Sequence, residues 1–350
     1  MLTESAGRFA VRYGLVPRAL DTQAVYDGLY AASPASFWLD SNSAGNPSAR
    51  FSFLGDDRGP LSEILTGSGG AVSVRDRRGV RAESGDLSGV LDARLAGRRI
   101  GPTCLPFDLV GGYVGYSGPE RGWVRDLDPF AQGNPDARWM FADRIVVVDH
   151  QAGVTYLVAV EDGRVGVRIA ADAWIVDTMR RVRGLPSQQL DPAEPLPIRS
   201  ARDDQLSADR ILDRYRTLRR SHPAPYAALL RFGETALLSA ASSSALRTFG
   251  GRPAPPTSGR PTAPARPLPL STTESLQRCL LAATGTGIPG EPGTDLGAGL
   301  DPAAPPIRLG YFGLAGGVDL SLFTPVAVPR RAAAFQYSTA PLAGTAEPAA

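Results

Sequence analysis

Lysine is missing from this chain. All 37 basic residues among its 350 are arginine. A GC-rich genome that writes Arg in place of Lys accounts for the bias, but the consequence is chemical. Arginine stays protonated and is a poor nucleophile or base, so Schiff-base and lysine-nucleophile chemistry are excluded. Cysteine is nearly missing too: Cys104 and Cys279 stand far apart. A disulfide framework and a cysteine-ligated zinc site are therefore not expected, and two reduced thiols fit a cytoplasmic protein. The two histidines, His150 and His222, belong to no visible cluster of catalytic or metal-ligating residues. No apolar run approaches the roughly 18 residues a membrane span needs. The opening LTESAGRFAVRYGL has no basic stretch followed by an apolar one, so no signal peptide is expected. With a net charge of +2 there is no electrostatic case for nucleic acid or an anionic membrane. Ser242-Ser243-Ser244 lacks the flanking glycines of a nucleophile elbow.

What is present is globular. A hydrophobic content of 43% with 21% charge supports a substantial core, in one large domain or two. Phe9 to Tyr13 alternates like a half-buried strand. Thr22 to Ala31 has helical spacing, with Asp21 or Thr22 as its cap. Phe37 to Ser41 and Arg50 to Gly55 read as paired strands around a polar loop, and Ala71 to Val80 as a hairpin. Leu87 to Leu95 is a short helix. Phe107 to Gly118 is dense in glycine without the context of a phosphate loop. It predicts close backbone packing around Tyr113 and Tyr116. Ile145 to Asp149 and Thr155 to Val160 form a hairpin, and Ala170 to Arg183 a helix burying Trp174, Ile175 and Met179.

Leu185 to Arg202 reads as a Pro-rich linker, and Ala208 to Arg220 as a basic helix carrying Ile211, Leu212, Tyr215 and Leu218. Pro223 and Pro225 stop that helix. Tyr226 to Leu230 and Thr235 to Ser239 then make a hairpin around Gly233. Gly251 to Leu270 is Pro-rich without periodicity. Ser271 to Ala283 suggests one helix, and Leu309 to Leu322 a last hairpin turning at Gly316-Gly317. Asp126, Asp128, Asp203 and Asp204 are isolated acids on expected loops.

Taken in order, FWLDS, ARFSFLGD, PFDLVGGYVGY, DARWMFADRIVVVDH, HPAPYAALLRFG and LGYFGLAGGVDLS resemble motifs of aminodeoxychorismate synthase component I. That family belongs with anthranilate synthase component I among the chorismate-utilising enzymes, and the wording FWLDS…RFSFLGD favours the aminodeoxychorismate branch. The resemblance covers residues 7–182, 208–240 and about 309–322. It implies an α+β fold of antiparallel sheets with outer helices, incomplete in its C-terminal half. The implied organisation is an N-terminal domain at 1–185, a linker at 186–206 and a chorismate-binding remnant at 207–350, with low complexity over 250–306. It also implies magnesium-dependent amination of chorismate to 4-amino-4-deoxychorismate, towards p-aminobenzoate and folate, with ammonia from a glutaminase amidotransferase subunit.

The chain departs from the family where that chemistry resides. The family's lysine motif Pro-Ile-Lys-Gly-Thr requires a residue this chain lacks. After Ser239 the family's Ser-Pro-Glu-Arg-Phe is replaced by AASSSA at Ala240 to Ala245. The acidic metal-binding stretch is replaced by unrelated sequence over 250–306, and the Ile-Arg-Thr motif by Phe323-Thr324-Pro325, with Arg330 and Arg331 off the motif position. No catalytic residue, no metal ligand and no retained cofactor are therefore assigned. The family's pocket for an aromatic amino acid does match, at Leu39, Asp40, Ser41, Arg50, Pro225, Tyr226, Tyr311 and Asp319. In the resemblance these supply an aliphatic wall, an aromatic stack and an acid for a tryptophan ammonium. The implied function is a catalytically deficient relative of aminodeoxychorismate synthase. The alternatives are a pseudoenzyme binding tryptophan or a glutaminase subunit, and an anthranilate synthase-like enzyme.

Overall fold

The computed structural model describes residues 9–41, 50–68, 70–101, 103–117, 137–188, 208–221, 223–224, 226–233, 235–241, 246–249, 252–253, 307–315, 318–323, 325–327 and 333–335. The expected helix at Ser271 to Ala283, the Gly316-Gly317 turn, the low-complexity stretch, Pro225, His222 and Ser242 to Ser244 lie outside the described residues. So do Asp126, Asp128, Asp203, Asp204, Arg330 and Arg331.

In chain order the elements begin with β1 (Ala10–Val16), α1 (Thr22–Leu29), β2 (Ala35–Asp40), β3 (Phe51–Asp56), β4 (Ile64–Ser68), β5 (Ala71–Asp76) and β6 (Gly79–Glu83). Then come α2 (Leu87–Ala96), β7 (Gly112–Ser117), β8 (Ala137–Ala142), β9 (Arg144–Asp149), β10 (Val154–Glu161), α3 (Val165–Val182) and α4 (Ala208–Ser221). The rest are β11 (Tyr226–Phe232), β12 (Thr235–Ala241), β13 (Leu246–Phe249), β14 (Arg252–Pro253), β15 (Ile307–Gly313), β16 (Val318–Phe323), β17 (Pro325–Ala327) and β18 (Ala333–Phe335).

The strands form two nine-stranded sheets, β1-β10-β9-β3-β2-β11-β12-β18-β17 and β14-β13-β16-β15-β7-β8-β4-β5-β6. Among the described residues every strand pairing is antiparallel except β12 with β18. Period-two side-chain alternation explains how the sheets stack. In β2, Phe37 and Leu39 face the other sheet, joining Phe53, Val147, Leu230, Val114, Met140 and Tyr311 in the inter-sheet core. Trp38 faces the other way and packs with Val25, Tyr26, Ile175, Ile211 and Tyr215 from α1, α3 and α4. On the outer side of the second sheet, α2 contributes Val90, Leu91 and Leu95 against Leu65, Trp139 and Phe312. The molecule is thus α+β, two antiparallel sheets flanked by outer helices, as the sequence led us to expect.

Several local readings hold. Asp21 caps α1 by accepting the Ala24 N–H at 2.7 Å. The glycine-dense stretch packs backbone on backbone: a Cβ at Gly115 would stand 2.0 Å from the Arg138 carbonyl oxygen, and one at Gly112 2.2 Å from that of Phe312. Two readings shift. Helix α3 starts at Val165, five residues before the expected Ala170, because Gly163 at φ +82° completes the turn and frees the chain to coil at once. The stretch expected to be linker is tied down at its start. The Asp21 N–H donates to the Pro186 carbonyl at 3.0 Å and the Gln188 N–H to that of Ala19 at 3.0 Å. Residues on both sides of the expected 186–206 linker also share both sheets, with β11 beside β2 and β15 beside β7.

Candidate functional site

The sheet alternation distributes the residues of the expected amino-acid pocket between two faces. Leu39 and Tyr311 belong to the inter-sheet core. There the Tyr311 hydroxyl donates to Asp108 at 2.6 Å, and its ring centroid lies 5.9 Å from that of Phe53. Arg50 forks onto Asp149, with Nε to Oδ1 at 3.1 Å and Nη2 to Oδ2 at 2.8 Å, and lies 4.6 Å above the Phe51 ring. Burial pushes the Asp149 carboxyl up. Arg50 and the N–H groups of Ala152 and Gln151 outweigh that and hold it below its ordinary value. Tyr226 begins β11, one residue before Ala227, the cross-strand partner of Asp40. Asp319 stands opposite Tyr311 in the β15–β16 register. The side chain of Asp319 and all of Pro225 lie outside the described residues.

Asp40 follows Leu39 in β2 and so lies on the helix-covered face. It is buried, and its Oδ2 accepts from Arg219 Nε at 2.8 Å. Its Oδ1 accepts from the hydroxyls of Thr22 at 3.2 Å and Ser52 at 3.1 Å. The Arg219 guanidinium also donates to Thr22 at 3.1 Å and sits 4.7 Å above the Trp38 ring. That ring stacks on Tyr26 at 5.3 Å and meets Tyr215 edge-on at 5.1 Å. Ser41 joins through its backbone, donating to the Ser52 hydroxyl at 2.9 Å.

His150 closes the network, its Nε2 lying 2.7 Å from the Ser52 hydroxyl and its Nδ1 against the Gln188 side-chain amide. Ser52 spends its only proton on Asp40 and one lone pair on the Ser41 N–H. The remaining lone pair requires the imidazole proton on Nε2. Burial pushes the His150 pKa down, reinforced by Arg219; Asp40, Gln188 and Asp149 push the other way and do not prevail.

Arg219 and Ser52 were not singled out in the sequence; Thr22 was named only as a possible helix cap, and His150 only as a histidine outside any visible cluster. One signal was available: Arg219 follows Leu212 and Tyr215 at helical spacing, and a charge on an apolar helix face implies a buried partner.

Magnesium is the metal that the family resemblance implies. Among the described residues there is no group of three or more His, Cys, Asp or Glu side chains that could hold a metal ion. The described residues thus offer no set of ligands that fits it. No helix among the described residues is long and apolar enough to cross a membrane.

Known proteins now bear on this arrangement. The chain is 34% identical over 268 residues to aminodeoxychorismate synthase of Streptomyces pristinaespiralis, an alignment covering 65% of this chain and 37% of that protein. It is 30% identical over 272 residues to aminodeoxychorismate synthase of Streptomyces griseus, covering 66% and 37%. Over about two thirds of its length this chain is similar to aminodeoxychorismate synthases. A probable chloroplastic aminodeoxychorismate synthase of Oryza sativa subsp. japonica is 34% identical over 145 residues, 36% of this chain and 16% of that one. The chain thus spans little more than a third of the length of the Streptomyces aminodeoxychorismate synthases it matches. Among solved structures, anthranilate synthase component I from Streptococcus pneumoniae TIGR4 aligns with a TM-score of 0.41 at 16% identity, covering 58% of this chain and 52% of that one. No protein-family model matches the chain.

Proposed function

We propose that the chain carries the component I scaffold of chorismate amination without carrying the reaction itself. The similarity to aminodeoxychorismate synthases over two-thirds of the chain supports the scaffold. The single observation behind the missing reaction is the absence of lysine from all 350 residues. The chemistry implied by the resemblance needs a lysine nucleophile, and arginine does not replace one. The replaced acidic and Ile-Arg-Thr stretches point the same way.

The test incubates the purified chain with chorismate, magnesium and ammonium and separates the products. No 4-amino-4-deoxychorismate and no anthranilate are expected. Turnover to the first would overturn the proposal, and turnover to the second would establish the anthranilate synthase-like alternative. Adding a glutaminase amidotransferase and glutamine tests the implied partner by co-elution and by any stimulation of glutamine hydrolysis.

A second reading, a tryptophan-binding pseudoenzyme, is favoured by Leu39 and Tyr311 lying in one inter-sheet cluster. In this reading Asp40 contributes through Arg219 and the packing of α4, since its oxygens are already committed. Calorimetry with tryptophan decides it: saturable heat supports the pocket, and its absence together with an unchanged Tm removes the ligand.

A further inference from the structure

Away from both faces of that candidate pocket, a cavity of about 220 Å³ opens between three turns. Arg98 lines it after α2, Arg77 and Arg78 from the β5–β6 turn, and Arg164 from the turn before α3. We propose that this cavity binds a compact multivalent oxyanion, a phosphate or a small polycarboxylate.

The balance of charge carries the proposal. Three acids also line the cavity, and each is already engaged. Glu63 is paired with Arg98 at 2.7 Å and accepts from the Tyr113 hydroxyl. Asp76 is held by Arg81 at 2.6 Å and by the Arg78 N–H at 2.7 Å. Asp162 is held by Arg164 at 2.6 Å. Arg77 and Arg78 have no carboxylate partner among the described residues; Arg77 donates only to the Arg58 carbonyl, at 3.0 Å. Two guanidiniums are therefore left over at a concave surface where two others are held in place. Arg164 is also the N-cap residue of α3 and its side chain does not cap the helix. The end of the helix that carries partial positive charge thus stands at the rim.

The cavity is pre-formed. Arg98 lies 4.1 Å above the Phe141 ring. The wall at 60–63 is fastened by the Leu61 N–H to Asp143 at 2.7 Å, the Ser62 hydroxyl to the Phe141 carbonyl at 2.8 Å, and the Phe141 N–H to the Glu63 carbonyl at 2.8 Å. A planar guanidinium fork fixed before binding, as that of Arg98 is, favours an oxyanion because little of its side-chain freedom remains to be lost. The volume admits a compact anion, and two unneutralised charges favour one of valence two or more over chloride.

The test follows the Tm of the whole chain during titration with sodium phosphate and, separately, sodium citrate, with sodium chloride at matched ionic strength as control. A saturable rise of about 3 °C at tenfold excess over Kd is expected for at least one of them, and which one saturates tells phosphate from polycarboxylate. The double variant Arg77→Ala/Arg78→Ala removes two exposed side chains that form no ion pair among the described residues, and should weaken binding about tenfold or more while leaving the ligand-free Tm unchanged. If that variant fails to fold, Arg164→Gln substitutes for it: the same weakening of binding is expected, with a lower ligand-free Tm because Asp162 loses its partner. The proposal is overturned if neither anion gives a saturable rise, if the rise follows ionic strength in chloride, or if a folded variant binds as tightly as the parent.

Discussion

Asp143 sits where β8 turns into β9, fully enclosed. Its Oδ2 accepts the Leu61 N–H at 2.7 Å, while its Oδ1 has no hydrogen-bond partner among the described residues. A Cβ at Gly59 would stand 1.5 Å from that oxygen, so no water fits between them. Burial pushes its pKa from 3.8 up to about 6, against the pull of the Leu61 N–H and Arg144. The folded state therefore keeps a proton that the unfolded chain has released. The resulting penalty is absent below about pH 4, grows as pH rises, and is complete above about pH 6, where it amounts to roughly 3 kcal/mol. Asp143→Asn keeps the acceptor for Leu61 and loses the charge. Urea unfolding should show the variant more stable than the parent at pH 7 and equal to it at pH 4; an equal difference at both would sink the assignment. His150 slopes the other way, since its depressed pKa removes stability as pH falls below 6.5. It is common to both proteins and cancels in the comparison. Asp40 gives a second prediction at this scale. Arg219→Met leaves its carboxylate buried without its ion-pair partner and should cost about 3–5 kcal/mol, whereas adding Asp40→Asn should recover a large part of that. If the double variant is as unstable as the single, the buried charge is not the cause. The family resemblance offered Asp40 as the acid for a ligand ammonium, and no local pattern announces the Arg219 that it meets 179 residues away.

Single strands and helices were the most legible level, because each is written in a local period. The alternation of FSFLGD, the Asp21 cap and the apolar stripe of α4 each reappear in the structure. What the chain does not write locally is where an element stops against something distant. Arg18 shows why. Its guanidinium donates to the carbonyls of Leu185 at 2.6 Å, Val182 at 3.0 Å and Arg183 at 2.8 Å, so a residue after β1 closes the C-terminus of α3. Free helix-end carbonyls need such partners, and nothing near residue 183 announces this one. The glycine-dense strand β7 is the opposite case, since its composition declared close packing before the neighbour was known. Gly115→Ala should therefore be far worse than an ordinary strand glycine-to-alanine change. Its Cβ would meet backbone on β8, which cannot swing aside, so a loss of roughly 3 kcal/mol or more is expected. A melting temperature within a few degrees of the parent would show that the β7–β8 pair is looser than described.

At the scale of the whole molecule the two sheets decide what can fold alone. The resemblance implies an N-terminal domain at residues 1–185, and strands within it do pair with one another, β1 with β10 and β3 with β2. The inter-sheet core nevertheless draws Ala228, Leu230, Phe232, Leu237, Leu309 and Tyr311 from after the linker, and the outer core draws Ile211, Leu212, Tyr215, Leu229 and Leu238. Without them, β2 and β7 become open edges bearing buried aromatics such as Phe37, Trp38 and Tyr116, and unpaired apolar edges invite association. A fragment ending at residue 206 should therefore unfold at a clearly lower temperature than the full chain, bind a hydrophobic dye, and associate as its concentration rises. The order of strands makes the test sharper. Strand β11 is bonded on both sides, to β2 and β12, so it is an interior strand of the sheet. Supplying a separate polypeptide of residues 207–350 should restore cooperative unfolding if the later strands complete the sheets. A fragment 1–206 that is monomeric, dye-silent and as stable as the whole would mean that the first half closes its own core and that the later strands merely lean on it.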